Sequence, residues 1–327
     1  MRAHDTIALA ALVSLVLACP ARAQQQADAE FDPKVSRPAY GAQGPSVLFD
    51  EAHDNFHTTT GRYRPFVQLV QADGFRVTPN ASRFDAAGLR RHQVLVIANA
   101  MGGDVPEAYE RAAFTLAECD TVAEWVRNGG ALLLIADHAP FGTGAEHLAK
   151  RFNVEMGKGF TEDSVHCDKA SGTSTLVFSR LNGLVRDHPI TRGRDSTELV
   201  TRVVAYTGQS LAAPVGSKVL LALSGHAFDH PSPTVSQAAA SPEPGMAWRT
   251  AIRNLPVTSA RGRVMGLALR YGRGRVVVLG EAAMLSAQTV ALPDGGVRRF
   301  GINVPGSDNQ QFALSVMRWL AGVLPVE

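Results

Sequence analysis

The chain has 327 residues, of which 45% are hydrophobic and 19% charged, enough to bury a substantial core in one large domain or two modest ones. A formal net charge of +2 is too small to imply a nucleic-acid partner, and no run of Lys and Arg interleaved with aromatics occurs. Three cysteines are too few for a disulfide scaffold.

The first segment reads as a signal peptide over residues 1–23. Arg2 supplies a positive start, Ile7 to Ala18 is apolar, and Ala21-Arg22-Ala23 is a small-x-small cleavage site. The apolar run is too short to span a bilayer well, so the mature chain is expected in the periplasm or secreted. Val16-Leu17-Ala18-Cys19 also fits a lipoprotein box, with a lipid anchor at Cys19 as the alternative; Pro20 directly after it favours soluble export. No other segment is long and apolar enough to be a transmembrane helix. Residues 24–44 are polar, with Pro33 and Pro38, and are expected to be a linker.

From residue 45 the pattern alternates strand and helix. Ser46 to Asp50 is a short buried strand, and Gly61 to Ala72 has helical spacing in Phe66, Leu69 and Val70. Strands are expected at Phe75 to Thr78 and Val94 to Ala98. A helix at Thr115 to Arg127 opens on a Thr115–Glu118 capping box, and Asn128-Gly129-Gly130 stops it before the apolar strand Ala131 to Ala136. This alternation predicts an α/β domain whose parallel sheet is covered on both faces. Val200 to Tyr206 and Lys218 to Leu223 read as further strands, and Pro231 to Pro244 as a mobile loop. Val264 to Tyr271 and Arg275 to Leu279 flank Gly272-Arg273-Gly274, a hairpin signal. Asp308 to Leu320 is an amphipathic helix. A single domain over residues 45–327 is expected, with insertions near 155–178 and 225–262. Cys119 falls on a helix, where burial as a small hydrophobe is expected. A bridge from it to Cys167 would need a separation that sequence does not give.

Three of the strands end in metal-type side chains: Asp50, His53 and His57 after the first, Asp137 and His138 after Ala131–Ala136, and Glu281 after Arg275–Leu279. Ligands bind outside the carboxyl ends of the strands in open α/β sheets, so these tips mark the candidate site. His53 and His57, four apart, would share one helix face and one metal. Asp50, His53, His57 and His138 are the expected metal ligands. Glu281 and Asp137 are the expected catalytic acid and base, with Asn55 and Asn309 behind them. The bland readings are a dipole-favoured acid for Glu281, a cap for Asn309, and a cap for Asp137, although Thr143 is better placed to cap the next helix. Gly142-Thr143-Gly144 could present N–H groups to an anion, but most such turns are only turns. There is no nucleophile elbow, dinucleotide fingerprint or phosphate loop, and no nucleotide cofactor is expected.

The segments V-L-F-D-E-A-H-D-N-F-H, W-V-R-N-G-G-A-L-L-L-I-A-D-H-A-P-F, R-Y-G-R-G-R-V-V-V-L-G-E and N-Q-Q-F-A-L-S-V-M-R-W-L resemble a bacterial family of unknown function. That family is related to the class I glutamine amidotransferase-like superfamily. The resemblance implies a flavodoxin-like, class I glutamine amidotransferase-like three-layer sandwich with a mainly parallel sheet. Amidotransferases place a nucleophilic Cys after the strand that matches Ala131–Ala136; here Asp137 holds that place, so thiol glutamine hydrolysis is not expected. The residues point to an exported metal-dependent hydrolase of a small molecule or saccharide, zinc being the metal best suited to mixed imidazole and carboxylate ligands. The alternative is a non-catalytic periplasmic binding module for a sugar or small acid.

Overall fold

Neighbouring residues of each apolar strand go to opposite cores. Val47 and Phe49, Val94 and Val96, Leu133 and Ile135, and Val277 and Leu279 enter one core. Leu48, Leu95 and Ile97, Leu132 and Leu134, and Val276 and Val278 enter the other. A strand with this period-2 pattern that is apolar on both sides must be covered on both sides. The first core is closed by the helices Arg64–Ala72 and Asn309–Leu320, through Phe66, Leu69, Phe312, Val316 and Trp319. The second is closed by Leu116–Arg127 and Phe141–Arg151, through Val122, Val126 and Leu148. Each fully buried Val, Leu or Phe contributes about 1.5–3 kcal/mol, so this division of side chains dominates the stability of the sheet.

The structure is a computed structural model and describes residues 25–41, 43–239, 252, 255–292 and 294–327. The expected leader with Cys19, and residues 240–244 of the expected mobile loop, lie outside the described residues. Five strands run parallel in the spatial order Arg76–Asn80, Ser46–Asp50, Val94–Ala98, Ala131–Ile135 and Gly274–Leu279. Antiparallel strands continue the sheet: Val264–Tyr271, then Leu211–Ala212 and Glu155–Met156, with Lys218–Ala222 also on Val264–Tyr271. The expected hairpin is present, and Tyr271 pairs with Gly274. Gly272 has φ +59 there, and a Cβ at this position would lie 2.5 Å from the Arg127 carbonyl oxygen.

Local chemistry explains the helix starts. The Thr115 hydroxyl accepts the Glu118 N–H while the Glu118 carboxylate accepts the Thr115 N–H, so the capping box forms as expected. The next helix begins earlier than expected, at Phe141. Pro140 occupies its N-cap without a side-chain bond, so Thr143 is not the cap and Gly142-Thr143-Gly144 falls inside the first turn.

The stretch expected to be a linker is laid against the domain: Gln26–Ala27 pairs with Ala287–Ala291, Tyr40 meets Phe75 edge-on at 5.2 Å, and Phe31 and Val35 pack on the first core. Apolar residues spaced through a polar segment were enough to dock it. The two stretches expected as insertions, near 155–178 and 225–262, pair with each other where Phe160–Asp163 meets Ala227–His230, and Thr175–Ser179 pairs with Arg202–Tyr206. Beneath the N-terminal stretch, Arg318 (1% exposed) meets Asp73 at 2.7 Å and Glu198 at 3.0 Å. Cys119 is buried and Cys167 half-buried, and both are free thiols.

Candidate functional site

The parallel half of the sheet brings Asp50, Asn99, Asp137 and Glu281 to one edge, since each stands at or just after the carboxyl end of its strand. Within that edge the side chains form two groups.

The first group is built on His53. Its Nδ1 lies 2.9 Å from both Asp50 oxygens, and its Nε2 lies 2.9 Å from Glu118 Oε1. A ring with a carboxylate at each nitrogen donates from both and is held as imidazolium. Burial opposes that charge, but the bonds and charges of Asp50 and Glu118 outweigh it and raise the His53 pKa. Glu118 is buried too, yet His53, Thr115 and their hydrogen bonds hold its carboxyl down at about 2. The rings of Phe84 and Phe114 flank the imidazole, each at 4.7 Å. Asn55 Nδ2 donates to Asp50, and Asn55 Oδ1 accepts the His53 N–H, so Asn55 orients this group. Both ring nitrogens of His53, expected with Asp50 to hold a metal, face carboxylates in this arrangement. Among the described residues, no group of three or more His, Cys, Asp or Glu side chains is arranged to hold a metal ion.

The second group lies between the Ala131–Ile135 and Gly274–Leu279 strand ends. Asp137 is 8% exposed, Glu281 0% and His57 3%. Asp137 Oδ1 accepts the His138 N–H at 2.7 Å, and Oδ2 the Ala282 N–H at 3.3 Å. Glu281 accepts the N–H groups of Ala283 and Met284, each at 2.7 Å. Burial raises both carboxyls above their usual range. The Asp137 charge raises Glu281 further, and its backbone N–H donors only partly offset the rise. Both carboxyls are thus biased toward their protonated forms.

His57 stacks on Tyr63 with ring centroids 4.6 Å apart. Burial, then the charges of Arg62 and His138, push its pKa down to about 3. The ring is therefore neutral, and its buried Nδ1 has no hydrogen-bond partner. The Tyr63 hydroxyl donates to the Ala282 carbonyl at 2.7 Å. Burial and then the nearby Glu281 and Asp137 lift its pKa well above normal. His138 Nδ1 lies 2.8 Å from the Ala139 carbonyl, so that nitrogen must carry the proton. Its ring stacks on Phe160 at 4.8 Å.

The frame around this group is tight. Asn99 takes φ +54, and its Oδ1 accepts the Asp137 N–H at 2.9 Å. Its carbonyl accepts the Phe56 N–H, which pins the loop carrying His57. Gln209 Nε2 donates to the Ala136 and Asp137 carbonyls. Gly208 has φ +74, and a Cβ there would sit 2.8 Å from Glu281 Cβ. Asn309 lies in the helix start behind the site. Its Nδ2 donates to the Val204 and Met284 carbonyls, and its Oδ1 accepts the Val204 N–H.

The structure thus brings together Asp137, Glu281, His57 and His138, and places Asp50, His53 and Asn55 in a separate ionic group. Sequence reasoning missed Tyr63, Arg62 and Gln209, which carry no local signal. Glu118 was visible only as half of a capping box, and Asn99 only as the polar residue that bounds a strand. Two cavities, of about 440 and 150 Å³, lie elsewhere. The larger is lined by Arg37, Glu198, Gln311 and Arg318, the smaller by Asp168, Arg202, Tyr206 and Arg298. Neither includes a strand-end carboxylate, and chemistry outweighs volume in choosing the candidate site.

No protein-family model matches the chain, and no curated protein matches it. Among solved structures, the mmIFT52 N-terminal domain superposes with TM-score 0.55 at 12% identity, covering 85% of this chain and 97% of that one. A ThuA-like protein from Bacteroides uniformis gives TM-score 0.42 at 14% identity, covering 86% and 94%. A glutamine amidotransferase from Thermotoga maritima gives 0.37 at 12%, covering 72% and 75%. The likeness to the mmIFT52 domain is one of fold alone: an α/β architecture around a central, mostly parallel sheet.

Proposed function

We propose that this chain is an exported hydrolase of a small molecule or saccharide that works through the Asp137–Glu281 carboxyl pair. It would be a cysteine-less member of the amidotransferase-like superfamily with the three-layer arrangement of that fold. The observation that carries the reading is the pair itself: two buried acids at adjacent strand ends, both raised by burial and Glu281 further by the Asp137 charge, beside the unpartnered Nδ1 of neutral His57. One carboxyl keeps a proton for the leaving group, while its ionised partner takes a proton from the attacking water. His57 Nδ1 offers a hydrogen-bond site to substrate or water. The commitment of His53 to two carboxylates moves the proposal from metal-activated water to acid–base chemistry.

The non-catalytic binding module remains the second reading. It is favoured by the backbone N–H donors that already satisfy Glu281 and by the low exposure of the pair. The test is turnover of a panel of nitrophenyl glycosides, nitrophenyl esters and peptide amides by wild type, Asp137→Asn and Glu281→Gln. Loss of at least about 100-fold in each variant, with the fold intact, is expected for an acid–base role. Full activity in both variants would sink the pair, and tight binding without turnover in wild type would favour the binding module.

A further inference from the structure

Arg62 stands just before Tyr63, the N-cap of the Arg64–Ala72 helix, and is half-buried. Its guanidinium lies 4.6 Å from the centroid of the Phe56 ring. Other half-buried or buried arginines find polar partners: Arg151, Arg194, Arg263 and Arg318 each meet a carboxylate, while Arg202, Arg275 and Arg298 donate to carbonyl or hydroxyl oxygens. Among the described residues Arg62 meets none, and its side chain makes no hydrogen bond. Its surroundings do not supply the missing charge. His57, close enough to feel the Arg62 charge, is neutral and offers no counter-charge. The result is a partly desolvated cation without a counter-ion, next to a buried imidazole nitrogen without a partner. Desolvated charges are ordinarily paired, and guanidinium is suited by its planar fork to a carboxylate.

We propose that Arg62 binds a carboxylate on the substrate, so that the chain acts on small acids rather than on neutral molecules. The position is pre-set. Ser286 Oγ donates to the Arg62 carbonyl at 2.5 Å, and Phe56, against which the guanidinium stacks, is anchored through its N–H to Asn99. Phe56 is 45% exposed and packs on Phe141 at 5.6 Å. It therefore offers an apolar surface beside the cation, which suits an acid carried next to a ring or a sugar face. The bound acid is a substrate only if the hydrolase reading above holds; the binding itself does not depend on it.

The test is calorimetric titration of the full mature chain with two matched pairs, glucuronate against glucose and hippurate against hippuramide. At least one acid binds while its neutral partner does not, and Arg62→Gln weakens that binding by about 10- to 100-fold, the range for a charge-assisted contact. Circular dichroism of Arg62→Gln separates lost binding from lost fold. If that variant does not fold, the acid-over-neutral preference of wild type decides alone. Equal binding within both pairs, no binding of either acid, or binding unchanged in Arg62→Gln overturns the proposal. Binding of an acid by wild type with no turnover of any substrate retires the hydrolase reading and leaves the Arg62 assignment standing.

Discussion

Replacing His53 by alanine tests whether its ring is an ionic brace. The ring bridges Asp50 and Glu118 at 2.9 Å each and fills the space between Phe84 and Phe114. Alanine would leave two buried carboxylates without their shared cation. Removing one partner of a buried pair costs about 3–5 kcal/mol. Asp50 keeps Asn55 and Asn80, and Glu118 keeps Arg83, Thr115 and the Phe84 N–H. The lower end therefore applies, about 3 kcal/mol. At about 2–4 °C per kcal/mol, the Tm falls by about 6–12 °C. The pH dependence follows from the shifts. His53 is raised above its unfolded value of about 6.5, so its contribution is complete below that pH and is lost as pH rises through the folded value. Glu118 is lowered from 4.5 to about 2, so its contribution is present above about pH 4.5 and is lost as pH falls toward 2. Calorimetric melts of wild type and variant should differ most at about pH 5.5 and less at about pH 9. A difference below about 2 °C, or one that does not narrow at alkaline pH, would refute the imidazolium assignment. A zinc-dependent rise in wild-type Tm that vanishes in His53→Ala would restore the metal-ligand role.

Arg318→Ala should cost about 3–5 kcal/mol because it leaves Asp73 buried without its cation, and Arg318→Met should cost no less, since it too lacks the charge; urea melts would check both. Asn309→Ala strips hydrogen bonds from the Val204 N–H and carbonyl and from the Met284 carbonyl. It should cost about 3 kcal/mol in the same assay, at about 1–3 kcal/mol per buried group left unsatisfied. Burial pushes the Cys119 thiol up to about 11, so iodoacetamide at about pH 8 should label Cys167 well before Cys119 in the native protein; peptide mass mapping would read the order, and equal rates would contradict the burial.

Sequence by itself determined the features that depend on near neighbours along the chain. The strands Ser46–Asp50, Val94–Ala98 and Ala131–Ile135 were legible because runs of apolar residues bounded by turn formers match a strand buried on both faces. The Thr115–Glu118 cap was legible because both partners lie within one turn. Asp137 and Glu281 were singled out because polar residues directly after buried strands need partners. Only the tertiary structure decided what those partners are. The parallel strand order sets Asp137 beside Glu281, where burial raises both carboxyls and the Asp137 charge raises Glu281 further. The helix Leu116–Arg127 delivers Glu118 to a histidine 65 positions earlier, a contact no local pattern shows. Arg62 and Tyr63 gained their roles from the sheet edge they lean on. The polar N-terminal stretch docks through a few apolar side chains whose receiving surface no local pattern reveals. Long-range pairing sets charge state: it gives His53 a carboxylate at each ring nitrogen, and it brings Asp137 and Glu281 together in a buried site.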